Sequence, residues 1–318
     1  MQELNRAEHQ GTCLVPSSRS LSKSLRLRLS RLDLVVPRRG LYARREYWEA
    51  LSPEKQELHI LRGLAEMHDA WTYCSISAAV VYGFDVPFEL FGIAHVRGRR
   101  GERARADRMV RTHSCGDAGV FTRQGVRVVD VYETLFGCMR DAPFDCAVAI
   151  VDSALRKGLD SIRLHRYVAE DAKGRKGVAA ARRVLAFADA RAESGGESRM
   201  RVAIARLGFA APELQVAVPD PIDRSKGYRV DFLWRIPSGE AIASELDGKD
   251  KYQDERMRRG RTAIEVLTAE RRRESRLTWY RMPILRVSFD EVRDEEYFAR
   301  VLKAFGVPRD ETQRLRVD

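Results

Sequence analysis

The stretch that decides the fold of the last third of the chain runs from Tyr228 to Asp247 and reads YRVDFLWRIPSGEAIASELD. Polar and apolar residues alternate on either side of the sequence Pro237-Ser238-Gly239. Alternation with period two is typical of strands, and proline, serine and glycine together are typical of a turn. The pattern predicts a hairpin of two strands, at 228–234 and 241–247.

Three acidic residues fall on strand positions of this hairpin that can face one another. Alternate residues of a strand share a face, so we expect Asp231 to lie opposite the apolar residues Val230, Phe232 and Trp234. Glu245 and Asp247 share a face in the same way, and we expect the three carboxylates to converge with no cation beside them. Such carboxylates repel unless a proton or a hard cation lies between them, and oxygen ligands suit Mg²⁺ or Mn²⁺ rather than zinc. The alternative is that the acids line a solvated sheet face.

Outward from the hairpin, the hydrophobic pattern predicts the element order αβββαβα. The further elements are a helix at 197–207 ended by Gly208, a strand at 214–218, an arginine-rich helix at 254–278, a strand at 284–289 and a helix at 290–305. The polar break Glu193-Ser194-Gly195-Gly196 precedes them. We therefore place a domain boundary near residue 191.

The first 45 residues carry +7 of the net charge of +11, which points to a polyanion as partner. Leucines at 21, 25, 29 and 32 form one face of a predicted helix, and Pro37-Arg38-Arg39-Gly40 is a basic turn between two short strands. A basic helix followed by a basic hairpin is the layout of a recognition helix and wing. About twenty residues precede the helix, which is short for the supporting helices of a helix-turn-helix.

The residues that we expect to contact DNA share a positive charge and a place on this helix or turn. They are Lys23, Arg26, Arg28, Arg38 and Arg39. The alternative, given about equal weight, is a solvated helix face that covers a hydrophobic seam.

In the middle of the chain, the hydrophobic pattern predicts helices at 75–82, 130–140, 144–157, 161–170 and 178–191. It also predicts strands within 88–128, with a turn at 123–125. All six histidines lie at or before residue 165, and none has metal-ligand spacing, so we expect scattered core or surface histidines. The phosphate-binding loop of NTPases and the nucleophile elbow of serine hydrolases are absent from the sequence.

Length and composition limit the class of protein. With 318 residues and 44% hydrophobic residues, the chain is long and apolar enough for two or three folded domains. Five cysteines without a C-x-x-C pair support neither a disulfide framework nor a zinc ribbon. The charged amino terminus and the lack of an 18-residue apolar run lead us to expect a cytoplasmic protein with no membrane segment.

Several motifs carry a resemblance to known families. The order αβββαβ with an Asp, a turn and then Glu-x-Asp resembles the PD-(D/E)XK nuclease superfamily. More closely, the motifs resemble the "domain of unknown function 559" proteins, related to very-short-patch repair endonucleases; they are Glu197-Ser198-Arg199, Pro212-Glu213-Leu214-Gln215-Val216, Arg229-Val230-Asp231-Phe232, Glu245-Leu246-Asp247-Gly248 and Lys251-Tyr252. In such proteins an AbiEi-like antitoxin segment commonly precedes this domain, and Arg39-Gly40-Leu41-Tyr42-Ala43 and Ser75-Ile76-Ser77-Ala78-Ala79 resemble that segment.

The resemblance implies roles for individual residues. Asp231 and Glu245 would hold Mg²⁺ or Mn²⁺, with the Leu246 carbonyl as a third ligand and Glu197 reaching in from the first helix. Two positions depart from the superfamily pattern: Val230 stands in place of the proline, and Asp247 stands in place of the lysine. Lys249 or Lys251 would then supply the missing cation. Gln215 has two open roles, contact with metal-bound water or pairing with a strand neighbour.

The fold class that we expect is α/β, an α+β multidomain chain with three segments. These are a winged-helix-like segment at 1–45, an AbiEi-like mixed domain at 46–190 and a restriction-endonuclease-like αβββαβ domain at 191–318. The expected function is DNA binding with metal-dependent cleavage or nicking, and the resemblance adds a cognate toxin as a partner. The alternative function is an antitoxin-type transcriptional regulator whose nuclease-like domain has lost turnover.

Overall fold

The computed structural model describes residues 2–29, 33–98, 108–223, 225–236, 238–247 and 278–315, with the single positions 264, 265, 268, 271, 275 and 276. The chain is a mixed α+β protein that divides into two compact units. The first unit is Met1–Ala154 with Leu159–Phe187, and the second is Leu155–Gly158 with Ala188–Asp318. Our division into three segments stays a prediction. None of the described helices is long and apolar enough to cross a membrane.

The first unit begins with two helices and a hairpin. They are α1 (Gln2–Gln10), α2 (Arg19–Leu29), β1 (Leu34–Arg38) and β2 (Leu41–Arg44). No sequence signal predicted α1, whose Leu4 and Ala7 pack in one apolar cluster with Leu25 of α2. Leu21 and Leu29 pack against the same cluster, so the predicted leucine face is confirmed at these positions. Leu32 lies outside the described residues.

The rest of the first unit consists of helices and two pairs of short strands. Its helices are α3 (Arg45–Glu49), α4 (Pro53–Met67), α5 (Ser75–Tyr82), α6 (Val131–Asp141), α7 (Phe144–Arg156), α8 (Ser161–Arg166) and α9 (Val178–Phe187). Its strands are β3 (Ala94–Arg97), β4 (Val110–His113), β5 (Val120–Arg123) and β6 (Val126–Val129). The five helices predicted between residues 75 and 191 are confirmed, although the fourth continues as a π-helical turn at Tyr167–Asp171.

The second unit is built on a four-stranded mixed sheet. Its strands are β7 (Glu213–Pro219), β8 (Gly227–Arg235), β9 (Ala241–Asp247) and β10 (Ile284–Ser288), in the spatial order β10-β9-β8-β7. The pairs β7/β8 and β8/β9 are antiparallel, whereas β9 and β10 are parallel. The predicted hairpin is therefore confirmed. The predicted arginine-rich helix at 254–278 lies almost wholly outside the described residues.

The second unit also contains α10 (Gly195–Arg206), before the sheet in sequence, and α11 (Phe289–Arg293) and α12 (Glu295–Ala304), after it. Gly208 follows α10 with φ 73°, a left-handed conformation that suits glycine and ends the helix as predicted. We expected one helix at 290–305, which is wrong. Asp294 interrupts it, because its side chain accepts the backbone N–H of Tyr297 and so begins a second helix.

One apolar cluster joins the sheet of this unit to its helices. It includes Met200 of α10, Phe232 of β8 and Phe298 of α12, all with no exposed surface. A second cluster, with Val230, Leu233 and Ala243, covers the other face of the sheet. Both faces of the sheet are therefore buried, as a self-supporting core requires.

We expect the isolated fragment 188–318 to unfold in one cooperative urea transition, because both its apolar clusters are internal. Phe298→Ala should lower its free energy of unfolding by about 3–5 kcal/mol, since it leaves a cavity in the core. Phe305→Ala is the matched control, because Phe305 is 38% exposed and should cost much less. Urea denaturation followed by circular dichroism measures both, and a fragment without a cooperative transition would contradict the boundary.

Candidate functional site

The acidic site of the second unit lies where β8 and β9 stop pairing through their backbones. Their pairing runs from Arg235 opposite Ala241 to Phe232 opposite Ser244. One residue further along β8, the Oδ2 atom of Asp231 accepts the backbone N–H of Leu246 at 3.1 Å. A carboxylate thus takes the place of a backbone acceptor. This bond fixes the Asp231 side chain between the two strands.

The face that we assigned to Val230 is wrong. Phe232 packs with the helices, as does Trp234, but Val230 packs on the opposite face of the sheet with Leu233. The simple alternation therefore slips between Val230 and Phe232. Opposite the slip, Gln215 of β7 has φ 53° and is skipped in the register between β7 and β8. A left-handed residue in a strand turns the backbone locally.

Glu197 reaches the site from the first turn of α10. The Ser194 hydroxyl caps this helix by accepting the backbone N–H of Glu197 at 3.1 Å. The same hydroxyl donates to Oε1 of Glu197 at 2.9 Å, and the backbone N–H of Glu193 donates to Oε2 at 2.8 Å. The helix start thus orients the Glu197 carboxylate, which is only 7% exposed.

Gln215 connects Glu197 with Asp231. Its Nε2 donates to Oε2 of Glu197 at 2.8 Å and lies 3.4 Å from Oδ1 of Asp231. Its Oε1 is buried and has no hydrogen-bond partner among the described residues. Burial, together with the negative charge of Asp231, raises the pKa of Glu197, although its hydrogen bonds act in the opposite direction. Two carboxylates from different parts of the chain therefore contact the same side-chain amide, that of Gln215.

Glu245 is buried on β9 and has a cation beside it. The guanidinium of Arg286 lies 3.3 Å from its Oε2, and Arg286 stands directly opposite Glu245 on the parallel strand β10. We expected no cation near the carboxylates, and this expectation is wrong. The cation comes from a strand whose pairing could not be seen in the local sequence. Asp247, at the exposed end of β9, is paired in register with Ser288.

The remaining predicted site residues, Lys249 and Lys251, lie outside the described residues. The carboxylates of Glu197, Asp231 and Glu245 do not all come within 4.8 Å of one another. Their donors are nevertheless all oxygens, which suit a hard cation. The buried Oε1 of Gln215 adds a further oxygen donor without a partner in the described part of the chain.

A second cluster of titratable groups lies in the first unit. His113 Nε2 lies 2.9 Å from His95 Nδ1, and His113 Nδ1 lies 3.2 Å from Oδ2 of Asp141. Arg140 is within 3.1 Å of His113 Nδ1 and donates two hydrogen bonds of 2.8 Å to Asp141. The Ser75 hydroxyl donates to the same carboxylate at 2.8 Å.

These side chains could hold a metal by distance alone, since their ligand atoms lie within 4.8 Å. The guanidinium of Arg140 argues against it, because a second cation there would meet both Coulomb repulsion and an occupied Asp141. The cluster is better described as a buried hydrogen-bonded chain from Asp141 through His113 to His95. Sequence spacing could not reveal it, because His95 and His113 meet only through the parallel pairing of β3 with β4.

Three of the predicted DNA-contacting residues are exposed. Lys23 and Arg26 lie on the side of α2 away from Leu25, and Arg39 lies in the turn between β1 and β2. These three side chains have no ion-pair partner in the described ranges. They are therefore placed where a polyanion could reach them.

The other two predicted DNA-contacting residues are engaged within the protein. Arg28 pairs with Asp33. Arg38 donates to the backbone oxygens of Gly92, at 3.3 Å, and Met109, at 2.5 Å. A guanidinium that already donates to carbonyls has fewer N–H groups left for phosphate. Arg38 thus ties the hairpin to the loop before β3 and to the residue before β4.

Comparison with known proteins finds partial relatives. The chain is 44% identical over 94 residues to the uncharacterized proteins MT2308 and Rv2248 of Mycobacterium tuberculosis, strains CDC 1551 and H37Rv. The match spans 28% of this chain and 32% of each relative, so it covers about a third of their length. No family model matches the chain, and no solved structure matches it.

The buried histidines should make the stability of the chain depend on pH. Burial, with the adjacent His113, lowers the pKa of His95 from 6.5 to about 3 in the folded chain. Below pH 6.5 the unfolded chain therefore binds a proton that the folded chain does not. The free energy of unfolding should fall by up to about 1.4 kcal/mol per pH unit as the pH drops from 6.5 towards 3. Above pH 6.5, where His95 is neutral in both the folded and the unfolded chain, this loss should be absent.

Urea denaturation between pH 7 and pH 4 tests this dependence. His95→Gln should flatten the pH profile, whereas His165→Gln should leave it unchanged, because His165 is exposed. The charged groups that face His95 are His113, Asp141, Arg111 and Arg140. An identical pH profile in wild type and His95→Gln would contradict the assignment.

Proposed function

We propose that this chain binds DNA and that its second unit cleaves or nicks DNA with Mg²⁺ or Mn²⁺, as a nuclease-like domain of the PD-(D/E)XK type. The observation that carries the proposal is the meeting of Glu197 and Asp231 on the amide of Gln215. It occurs where Asp231 replaces a backbone acceptor between β8 and β9. The Glu197 side chain is buried and that of Asp231 is partly buried, and titratable groups brought together in this way from separate elements are candidates for a functional site.

The order of elements in the second unit also supports the proposal. One helix, three strands in sequence and a fourth strand parallel to the third follow one another in this unit. The nuclease resemblance implies the order αβββαβ, whose second helix falls almost wholly on residues outside the described ranges. Asp231 and Glu245 stand on the second and third strands, the positions that the resemblance assigns to the metal ligands.

The donor set is compatible with the implied cation. Asp231 and Glu245 would hold it, together with the Leu246 carbonyl, and Glu197 would reach in from α10. When bound, Mg²⁺ lowers the pKa of a coordinated water and neutralises charge on a scissile phosphate. His and Cys ligands, which zinc prefers, are absent from this group of residues.

The chain's own residues have distinct tasks in this proposal. Gln215 holds the carboxylates of Glu197 and Asp231 in one orientation through its Nε2. Glu197, whose pKa is raised by burial and by Asp231, retains a proton to higher pH than an exposed glutamate. Arg286 orients Glu245 and offsets its charge.

One observation favours the alternative function, a regulator without turnover. Arg286 already neutralises Glu245, and the acidic Asp247 stands where the nuclease pattern has a lysine. A site arranged in this way would bind DNA near its carboxylates only weakly. In this alternative the first unit provides the whole interaction with DNA, and a cognate toxin provides the second partner.

DNA would be held by the exposed basic residues of the winged-helix-like start. Lys23 and Arg26 share one side of α2, and Arg39 projects from the adjacent hairpin turn. Lysine and arginine side chains that neutralise phosphates release counterions, which makes affinity depend on salt. A cytoplasmic location belongs to the same proposal, and the five free, buried cysteines support it.

Metal binding and cleavage can be tested on the same variants. We expect Mn²⁺ to bind the wild-type chain in a calorimetric titration, and Asp231→Asn and Glu245→Gln each to weaken it at least about tenfold by removing a charged ligand. The same variants should abolish metal-dependent nicking of a supercoiled plasmid. Glu240→Gln, at an exposed position before β9, is the matched control and should behave as wild type.

Two results would separate the proposal from its alternative. Metal binding without nicking would indicate a regulator with a retained site. Equal binding, or none, in wild type and in both ligand variants would exclude the metal site itself.

The contribution of the exposed basic residues can be measured by salt titration. Replacing Lys23, Arg26 and Arg39 together by Gln should weaken duplex binding and lower the slope of log affinity against log salt by up to about 2.7, at about 0.9 per lost phosphate contact. The charge-matched control replaces Lys176, Arg182 and Arg183, exposed residues of another surface. If the two triple variants give the same slope as wild type, α2 and its hairpin do not hold DNA.

A further inference from the structure

A cavity of about 240 Å³ opens on the first unit, between the start of α6 and the helix that begins at Ser161. It is independent of the acidic site and of the basic residues of α2. Its walls carry two arginines, two tyrosines and two aspartates: Asp130, Tyr132, Arg163, Arg166, Tyr167 and Asp171.

One side of the cavity is a single helical face. Arg163 lies three residues before Arg166 and four before Tyr167, and Tyr167 lies four before Asp171; spacings of three and four bring side chains to the same side of a helix. The backbone widens here into a π-helical turn, in which the N–H of Ala172 donates to the carbonyl of Tyr167 at 2.9 Å. Such turns are rare in proteins, and those that do occur are often found at functional sites.

The aromatic part of the wall is an ordered stack. The rings of Tyr132 and Tyr167 lie 6.1 Å apart with an angle of 25° between their planes. The guanidinium of Arg163 lies over the Tyr132 ring, 4.7 Å from its centre. The Tyr167 side chain is held in place by a hydrogen bond, since its hydroxyl donates to the carboxylate of the buried Glu133 at 2.5 Å. A flat ring entering the cavity would meet preorganised aromatic and guanidinium surfaces.

The charged groups of the wall differ in what already binds them. Asp130 caps α6 by accepting the backbone N–H groups of Tyr132 and Glu133. Arg166 and Asp171 are both exposed and, in the parts of the chain that are described, have neither a hydrogen bond from their side chains nor an ion pair. A free cation and a free anion thus line one cavity without pairing with each other.

We propose that this cavity binds a nucleotide. Arg166, with Arg163, would contact the phosphate, because guanidinium groups bind phosphate oxygens through several N–H groups. Asp171 would accept the amino and imino N–H groups of a base such as guanine, whose ring would lie against the tyrosines. The volume is below the roughly 300 Å³ at which ligand pockets usually begin. It therefore suits one partly exposed nucleotide rather than a dinucleotide cofactor.

The same chemistry could come from two sources, a free mononucleotide or the unpaired end of a DNA strand. Guanosine 5′-monophosphate and a 5′-phosphorylated single-stranded hexamer with guanine at its 5′ end represent them. Both probes carry a phosphate and a guanine. They differ in the five further nucleotides of the hexamer.

The test is a titration of the full chain followed by the NMR signals of the ligand. We expect Arg166→Gln and Asp171→Asn each to weaken binding of guanosine 5′-monophosphate about tenfold or more, as loss of a charge-assisted hydrogen bond does. The matched controls are Arg182→Gln and Glu170→Gln, exposed charges of the same kinds outside the cavity. They should bind as wild type does.

Truncated ligands assign each contact. Guanosine lacks the phosphate, so its binding should not change in Arg166→Gln; ribose 5-phosphate lacks the base, so its binding should not change in Asp171→Asn. If the hexamer binds more tightly than the mononucleotide, and Arg166→Gln weakens the binding of both, the source is a strand end. If the two probes bind equally, a free nucleotide is sufficient. The proposal is overturned if neither probe binds saturably, or if both cavity variants bind both probes as wild type does.

Discussion

The acidic site of the second unit depends on one hydrogen bond, from the backbone N–H of Leu246 to the carboxylate of Asp231. In a regular hairpin, backbone atoms of the two strands would satisfy each other at this point. Here a side chain does so, which leaves the Asp231 carboxylate between the strands and turned towards Gln215 and Glu197. Because the bond joins the carboxylate to the backbone of the neighbouring strand, the position of the carboxylate follows from the fold of the sheet itself.

The two units use buried charge in different ways. In the first unit, Arg140 and Asp141 form a compact pair that supports His113 and His95, and every side chain of this chain of contacts has a hydrogen-bond partner. In the second unit, Gln215 leaves one buried oxygen without a partner among the described residues. A satisfied network contributes rigidity, whereas an unsatisfied polar atom next to carboxylates is a cost that a ligand could relieve.

Much of the fold could be predicted because local patterns decide it. The hairpin of β8 and β9, the helix ended by Gly208 and the leucine face of α2 all follow from period and turn chemistry. Pairings between distant strands could not be predicted, and the contacts that they create were missed. Arg286 meets Glu245 only through the parallel register of β9 and β10, and His95 meets His113 only through that of β3 and β4. The acidic residues themselves were visible in the sequence, but not the cation and the amide that surround them.

Gln215 has a backbone conformation that lowers the stability of the sheet, and a side chain that maintains the geometry of its acidic site. Its φ of 53° is a conformation that costs a side-chain-bearing residue about 1–2 kcal/mol and that glycine adopts freely. A glycine would relax the strand, yet it would also separate Glu197 from Asp231, because no other described side chain bridges them. Selection for stability alone would favour the smaller residue here. Glutamine at this position instead supplies the amide that joins the two carboxylates, at the expense of the backbone.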